Sequence, residues 1–264
     1  MYDFGYKRPA SLAEAAAFLR ENEDAKLLAG GQTLIPTLKQ RLAMPTDLLD
    51  IRGLEDLKGI REEGGRLIIG AAETHADVAA SRTVQRAIPA LAYLAGQIGD
   101  PLVRHMGTLG GSVANNDPSA DYPAAVLGLG ATVVTNTRSI PADDFFLGMF
   151  ETALAADEII TRIEFPVPDA AGYAKFPNPA SRYATVGVFV SKAGGNVRVA
   201  VTGAGPGVFR VEAMEDALAK DFTPESIVDI KVSPEGLSSD MHASAEYRAH
   251  LVTVMARRAV SSAV

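Results

Sequence analysis

Apolar positions recur at helical spacing near the start of the chain. Leu12, Ala15, Ala16, Phe18 and Leu19 form one stripe, and Ser11 with Glu14 makes a capping box ahead of it. The short run Lys26–Ala29 stops at Gly30-Gly31, which predicts a buried strand entering a tight loop. Thr33 to about Arg41 reads as a helix with Pro36 in its first turn, and Asp47–Ile51 as a strand. The first 52 residues therefore form a helix–strand–helix–strand unit.

A second unit follows. Arg66–Ala71 is a predicted strand, and Thr74 caps a short helix running to Ala80. Val84 to Ile98 has a one-sided apolar pattern, with Pro89 set to kink or restart the helix. The stretch Gly107–Pro118 is unusually small and polar and leads into the next helix. A helix is predicted from about Ala120 to Leu129, then strands at Ala131–Val134 and Glu158–Phe165. The latter alternates as an antiparallel strand does. In the last part of the chain, Val186–Ser191 and Val197–Thr202 predict a hairpin turning at Gly194-Gly195-Asn196. Helices are expected at Val211–Lys220, Pro224–Asp229 and Ser244–Val260.

Composition narrows the chemistry. Among 264 residues there is no cysteine, so disulfides, thiolate zinc sites, catalytic thiols and Cys-ligated iron–sulfur clusters are excluded from this chain. A net charge of −7 with no basic run argues against a nucleic-acid surface. No apolar run spans a bilayer, and the start lacks a basic segment followed by an apolar one, so a cytoplasmic location without membrane insertion is expected. The four histidines lack metal-ligand spacing, and no G-x-S-x-G motif occurs, so neither a metal site nor a hydrolase triad is expected.

Three segments carry candidate chemistry. Ala29-Gly30-Gly31-Gln32-Thr33 joins a strand to a helix; it reads either as a tight turn or as an anion cradle of backbone amides with the Thr33 hydroxyl. Thr108-Leu109-Gly110-Gly111-Ser112 has the same ingredients and the same two readings. Two such loops in successive units suit the two phosphoryl groups of a pyrophosphate. Asn115–Pro123 reads as a connecting loop, or as a ligand segment in which Asp121 accepts from sugar hydroxyls.

These segments, in this order and with the glycine pairs about 80 residues apart, resemble the FAD-binding medium subunit of the molybdenum hydroxylases. Carbon monoxide dehydrogenase and xanthine dehydrogenase belong to that family. Phe4, Pro9 and Ser11–Ala15, then Glu158-Ile159-Ile160, Ile163 and Pro166, and Tyr173–Phe176 are also similar, so the likeness covers essentially the whole chain. It implies an α+β protein. Two α/β subdomains of the vanillyl-alcohol-oxidase-type (PCMH) FAD-binding fold, residues 1–52 and 53–171, would precede a C-terminal α+β domain, residues 172–264, with a three-stranded antiparallel sheet.

The resemblance also implies roles. Ala29, Gly30, Gly31, Gln32, Thr33 and Leu34, with Thr108, Gly110, Gly111, Ser112 and Asn115, would hold the FAD pyrophosphate. Asp121 would meet FAD hydroxyls, Ile98 and Ile160 would give apolar contacts, and Lys175 and Tyr183 would lie against the cofactor. Arg182 departs from the family, which often has Asp there, and the loop between Pro166 and Tyr173 is trimmed. The implied function is electron transfer in an oxidoreductase. Electrons would pass from a large molybdopterin subunit through two [2Fe–2S] clusters of a small subunit to non-covalent FAD here, and on to an external acceptor. The complex would be a dimer of heterotrimers. No side chain of this chain need act as acid or base, because the flavin carries the redox chemistry. Two other readings remain: a stand-alone flavin oxidase or reductase of the same fold, and a non-catalytic adapter that docks through the C-terminal domain.

Overall fold

The computed structural model describes residues 1–264. Its first sheet is parallel, with Asp47–Asp50 between Gly5–Lys7 and Lys26–Leu28. The helix Leu12–Glu21 begins as its capping box predicts: Ser11 accepts from the Glu14 N–H, and the Glu14 carboxylate accepts from the Ala10 N–H at 2.7 Å. Ala15, Ala16 and Leu19 bury against Leu49, Ile51, Leu54 and Leu57. The strand Gly5–Lys7 carries no sequence signal because all three residues are exposed; backbone pairing alone makes it a strand. Because the three strands run parallel, their carboxyl ends share one edge, and Ala29–Leu34 leaves the sheet there. Ligands of open α/β sheets bind at such an edge.

The second sheet has five antiparallel strands: Ile60–Glu63, Arg66–Gly70, Ile160–Pro166, Thr132–Thr135 and Ser139–Pro141 in spatial order. Its central strand alternates as predicted, with Ile163 and Phe165 fully buried. A bulge between Ile160 and Arg162 breaks the alternation, so Ile160 and Thr161 are buried in succession. Leu67, Ile69, Leu91, Leu94, Leu109 and Val113 join the same core. The predicted helix Val84–Ile98 is two helices, Arg82–Ala87 and Pro89–Gly96, because Pro89 restarts the chain after Ile88 leaves helical geometry. Where Thr108–Ser112 could read as a tight turn, the chain holds a short helix, Leu109–Asn115, whose Thr108 hydroxyl accepts from the Gly111 N–H. A further helix, Pro101–Met106, has no counterpart among the predicted elements; it starts with Asp100 as N-cap, accepting from the Val103 N–H, and Pro101 at the first helical position.

The C-terminal sheet is a sequential meander of Ala170–Pro177, Ala184–Ala193, Asn196–Thr202 and a two-residue fourth strand, Phe209–Arg210. The expected three strands thus gain a short edge partner. Val186, Val188, Val190, Val199 and Val201 pack under the helices Glu212–Lys220 and Ala245–Ser261. On the other face, Phe189 and Ala200 join the core of the second unit. Burial on both faces explains why Val186–Val190 reads as an unbroken apolar run. No helix is long and apolar enough to cross a membrane.

Candidate functional site

A cleft of about 910 Å³ opens where the three units meet. That is near the upper end of the roughly 300–1,000 Å³ typical of ligand sites. The first loop and the segment Thr108–Asn115 face each other across it: the Met106 carbonyl lies against Gly30, and a side chain built at Gly111 would meet Ala29 at 3.6 Å.

The amides of the first loop are its main chemical feature. None of the backbone N–H groups of Ala29–Leu34 finds an acceptor within the protein. Six successive donors at a cleft wall need water or a ligand. Gly31 turns through the left-handed region at φ +70°, as its position in the tight loop predicts, and a Cβ on Gly30 would collide with the Met106 carbonyl. The Thr33 hydroxyl makes no capping bond and is free to add a donor.

The second loop differs from expectation. Gly110 and Gly111 lie inside a helix and need no positive φ. Gly110 is required by close packing instead, because a Cβ there would sit 2.6 Å from the Ala71 Cβ. The Leu109 and Gly110 amides are bound to the Glu73 and Ala71 carbonyls, both at 2.9 Å, and the Gly111 amide to Thr108 Oγ1. From Gly107 to Ser112 only the Thr108 N–H is unpaired. This loop therefore faces the cleft with Ser112, Asn115 and a side-chain-free surface, while the amide cradle belongs to the first.

Of the other candidates, Ile98, Asp121, Ile160 and Tyr183 line the cleft, whereas Lys175 does not. Its ammonium lies 2.9 Å from Asp121 and 3.0 Å from the Gln97 carbonyl, and both ion-pair side chains are about 5% exposed or less. The Tyr173 hydroxyl also donates to Asp121. Burial pushes the Asp121 carboxyl up, and the Lys175 charge and the Tyr173 hydrogen bond oppose that. This node ties the strand Ala170–Pro177 to the start of the helix Tyr122–Gly128. Asp121 thus lines the cleft with its carboxylate fixed by two buried partners. Tyr183 stands half-exposed after Arg182, which is held at φ +62°. Burial, then Asp117 and Asp121, push its hydroxyl up.

Several cleft residues escaped sequence reasoning, among them Arg52, His75 and Glu158. Glu158 is held at about 2 chiefly by Arg138, with Thr135, Thr137 and the Ala155 N–H also donating. Asp50, behind Arg52, is likewise held at about 2, first by its Arg52 hydrogen bond. Burial lowers His75 to about 4. Glu158 lay in a segment similar to the family but was given no role there; the burial of His75 and the exposure of Arg52 to the cleft are set by the packing of the fold.

The signs of these shifts agree. Asp50 and Glu158 ordinarily titrate at 3.8 and 4.5, so their stabilisation is complete above about pH 4.5 and lost as pH falls toward 2. His75 resists a proton that the unfolded chain accepts near 6.5, which removes stability between about 6.5 and 4. These three groups therefore lower the melting temperature between pH 7 and pH 3, and Asp121, whose carboxyl is raised by burial, opposes them. Glu158→Gln should melt lower at pH 7 but with a shallower pH slope. Calorimetry across that range checks both, and a parallel slope in the variant would count against the Glu158 assignment.

An amide-rich loop at the ends of parallel strands, facing a second loop across an interdomain cleft, suits a phosphate-bearing ligand such as a dinucleotide. The matches to known proteins agree. Residues 2–168 match the family described as the FAD binding domain in molybdopterin dehydrogenase, and residues 171–263 the CO dehydrogenase flavoprotein C-terminal domain. The chain belongs to this FAD-binding flavoprotein family of the molybdopterin dehydrogenases, and is an oxidoreductase subunit. It is 38% identical to the nicotine 6-hydroxylase medium subunit of Paenarthrobacter nicotinovorans, over 98% of this chain and 96% of that protein. It is 36% identical to the carbon monoxide dehydrogenase medium chain of Hydrogenophaga pseudoflava, with the same coverage. Quinoline 2-oxidoreductase from Pseudomonas putida 86 contains a chain of the same fold, at TM-score 0.88 and 31% identity, covering 98% of this chain and 96% of that one.

Proposed function

We propose that the chain holds one FAD non-covalently in the interdomain cleft and passes electrons from a partner subunit to an external acceptor. The observation that carries this reading is the run of unpaired amides at Ala29–Leu34, which suits a pyrophosphate. Thr108, Gly110, Gly111, Ser112 and Asn115 form the facing surface, Ile98 and Ile160 give apolar contacts, and Asp121 accepts from cofactor hydroxyls. Tyr183 borders the ring system. Lys175 acts at one remove, by fixing Asp121. Residues 1–52 and 53–171 serve as the two cofactor-binding subdomains, and 172–264 closes the cleft.

The flavin, when bound, supplies hydride and one-electron chemistry. This chain's residues bind it, orient it and keep water from part of it. With no cysteine, the chain offers no cluster ligand, so its electrons come from elsewhere. The names of its relatives as medium subunits support a smaller and a larger partner chain. In the proposed assembly these are a small [2Fe–2S] subunit and a large molybdopterin subunit, in a cytoplasmic dimer of heterotrimers.

Purification of the tagged chain from its native host, under native conditions, tests this. Two co-purifying chains are expected, with molybdenum in one and an iron–sulfur paramagnetic signal from the other. Substrate oxidation by the isolated flavoprotein, with no partner and no metal, would overturn the reading in favour of a stand-alone oxidase or reductase.

A further inference from the structure

Arg52 occupies a place at the cleft that neither the glycine loops nor the Asp121 node accounts for. In the parallel pair, Leu28 lies opposite Asp50, so Gly30 and Arg52 leave the sheet side by side. Adjacent strands are about 5 Å apart. The Arg52 guanidinium is fixed by a two-pronged bond to Asp50, Nε to Oδ1 at 3.0 Å and Nη2 to Oδ2 at 2.6 Å. Asp50 is itself 3% exposed and also accepts from the Tyr6 hydroxyl at 2.6 Å and from the Arg52 N–H at 3.1 Å. The Arg52 side chain remains 43% exposed, and its Nη1 donates to nothing in the protein.

We propose that Arg52 is the cationic contact of the cofactor pyrophosphate, completing the cradle begun by the Gly30–Leu34 amides. Two features support this. The amides supply only partial charges, and a pyrophosphate carries a full negative charge on each phosphoryl group. The guanidinium beside them is preorganised by one buried carboxylate, so little side-chain entropy remains to be lost on binding. A surface arginine paired only for stability would not need its carboxylate partner buried and doubly anchored at the rim of a ligand cleft.

The inference rests on the FAD reading of the cleft, and the test separates the two. Apoprotein of the full chain is titrated with FAD, following flavin fluorescence, for wild type, Arg52→Gln and Arg52→Lys at several salt concentrations. Arg52→Gln should weaken FAD binding roughly ten- to hundredfold, the range of a hydrogen bond to a charged group. Its affinity should also depend less steeply on salt, and Arg52→Lys should recover part of both losses. Equal affinity in wild type and Arg52→Gln would overturn the proposal. So would a loss with unchanged salt slope and no rescue by lysine, which marks a merely structural role. Wild-type apoprotein that binds no FAD would overturn the cofactor reading, and this inference with it.

Discussion

Gly30→Val is expected to abolish FAD binding while leaving a folded protein. Any Cβ at residue 30 meets the Met106 carbonyl head-on, and the neighbouring Gly107 Cα lies 2.7 Å from the same point. These are backbone atoms, so no side chain can swing aside. The loop must move away from Thr108–Asn115, and the unpaired amides of Ala29–Leu34 move with it. Purified Gly30→Val should carry no flavin, and its apoprotein should bind added FAD at least about a hundredfold more weakly, consistent with the loss of several charge-assisted donors. Gly195→Ala is the control: a Cβ there meets nothing within 4 Å, in a turn far along the chain from the loops. Equal flavin content in wild type and Gly30→Val would remove the amide cradle from the account.

Lys175→Met should give the largest loss of stability. The substitution leaves the Asp121 carboxylate buried with only the Tyr173 hydroxyl as partner. Removing one member of a buried pair costs about 3–5 kcal/mol. For a chain of this size that lowers the melting temperature by roughly 6–20 °C, at about 2–4 °C per kcal/mol. Adding Asp121→Asn to Lys175→Met should return part of the loss, because no charge is then stranded. Thermal melts of the two single variants and the double variant measure the coupling. Additive losses would show that the pair is not a unit. FAD affinity should fall in Lys175→Met as well, since the residue that orients Asp121 is gone.

The sequence conveyed some of this architecture well and some of it poorly. Elements with their own amphipathic stripe or cap were legible: the Ser11-capped helix, the Thr74-capped helix and the hairpin at Gly194-Gly195. The strand Gly5–Lys7 was not, because nothing about three exposed residues distinguishes them until a neighbour pairs with them. The helix Leu109–Asn115 was hidden by its own glycines, which lower helix propensity but are kept for close packing on Ala71.

The site shows the same division. The two glycine loops could be picked out as a pair because each motif is contiguous. Their difference could not, since it depends on which carbonyls the Leu109 and Gly110 amides reach across the fold. Lys175 could be tied to the site but not placed: its charge is spent on Asp121 rather than shown to the cleft. Arg52 had no motif at all, and its place follows from a strand register set by the packed unit.

The most direct test is the flavin content of the purified full-length chain. A yellow protein absorbing at about 450 nm, as oxidised flavins do, is expected, with close to one FAD per chain released intact by acid or heat. A colourless chain that takes up no FAD on reconstitution would contradict the non-covalent FAD reading, and so would flavin that stays attached to the denatured polypeptide.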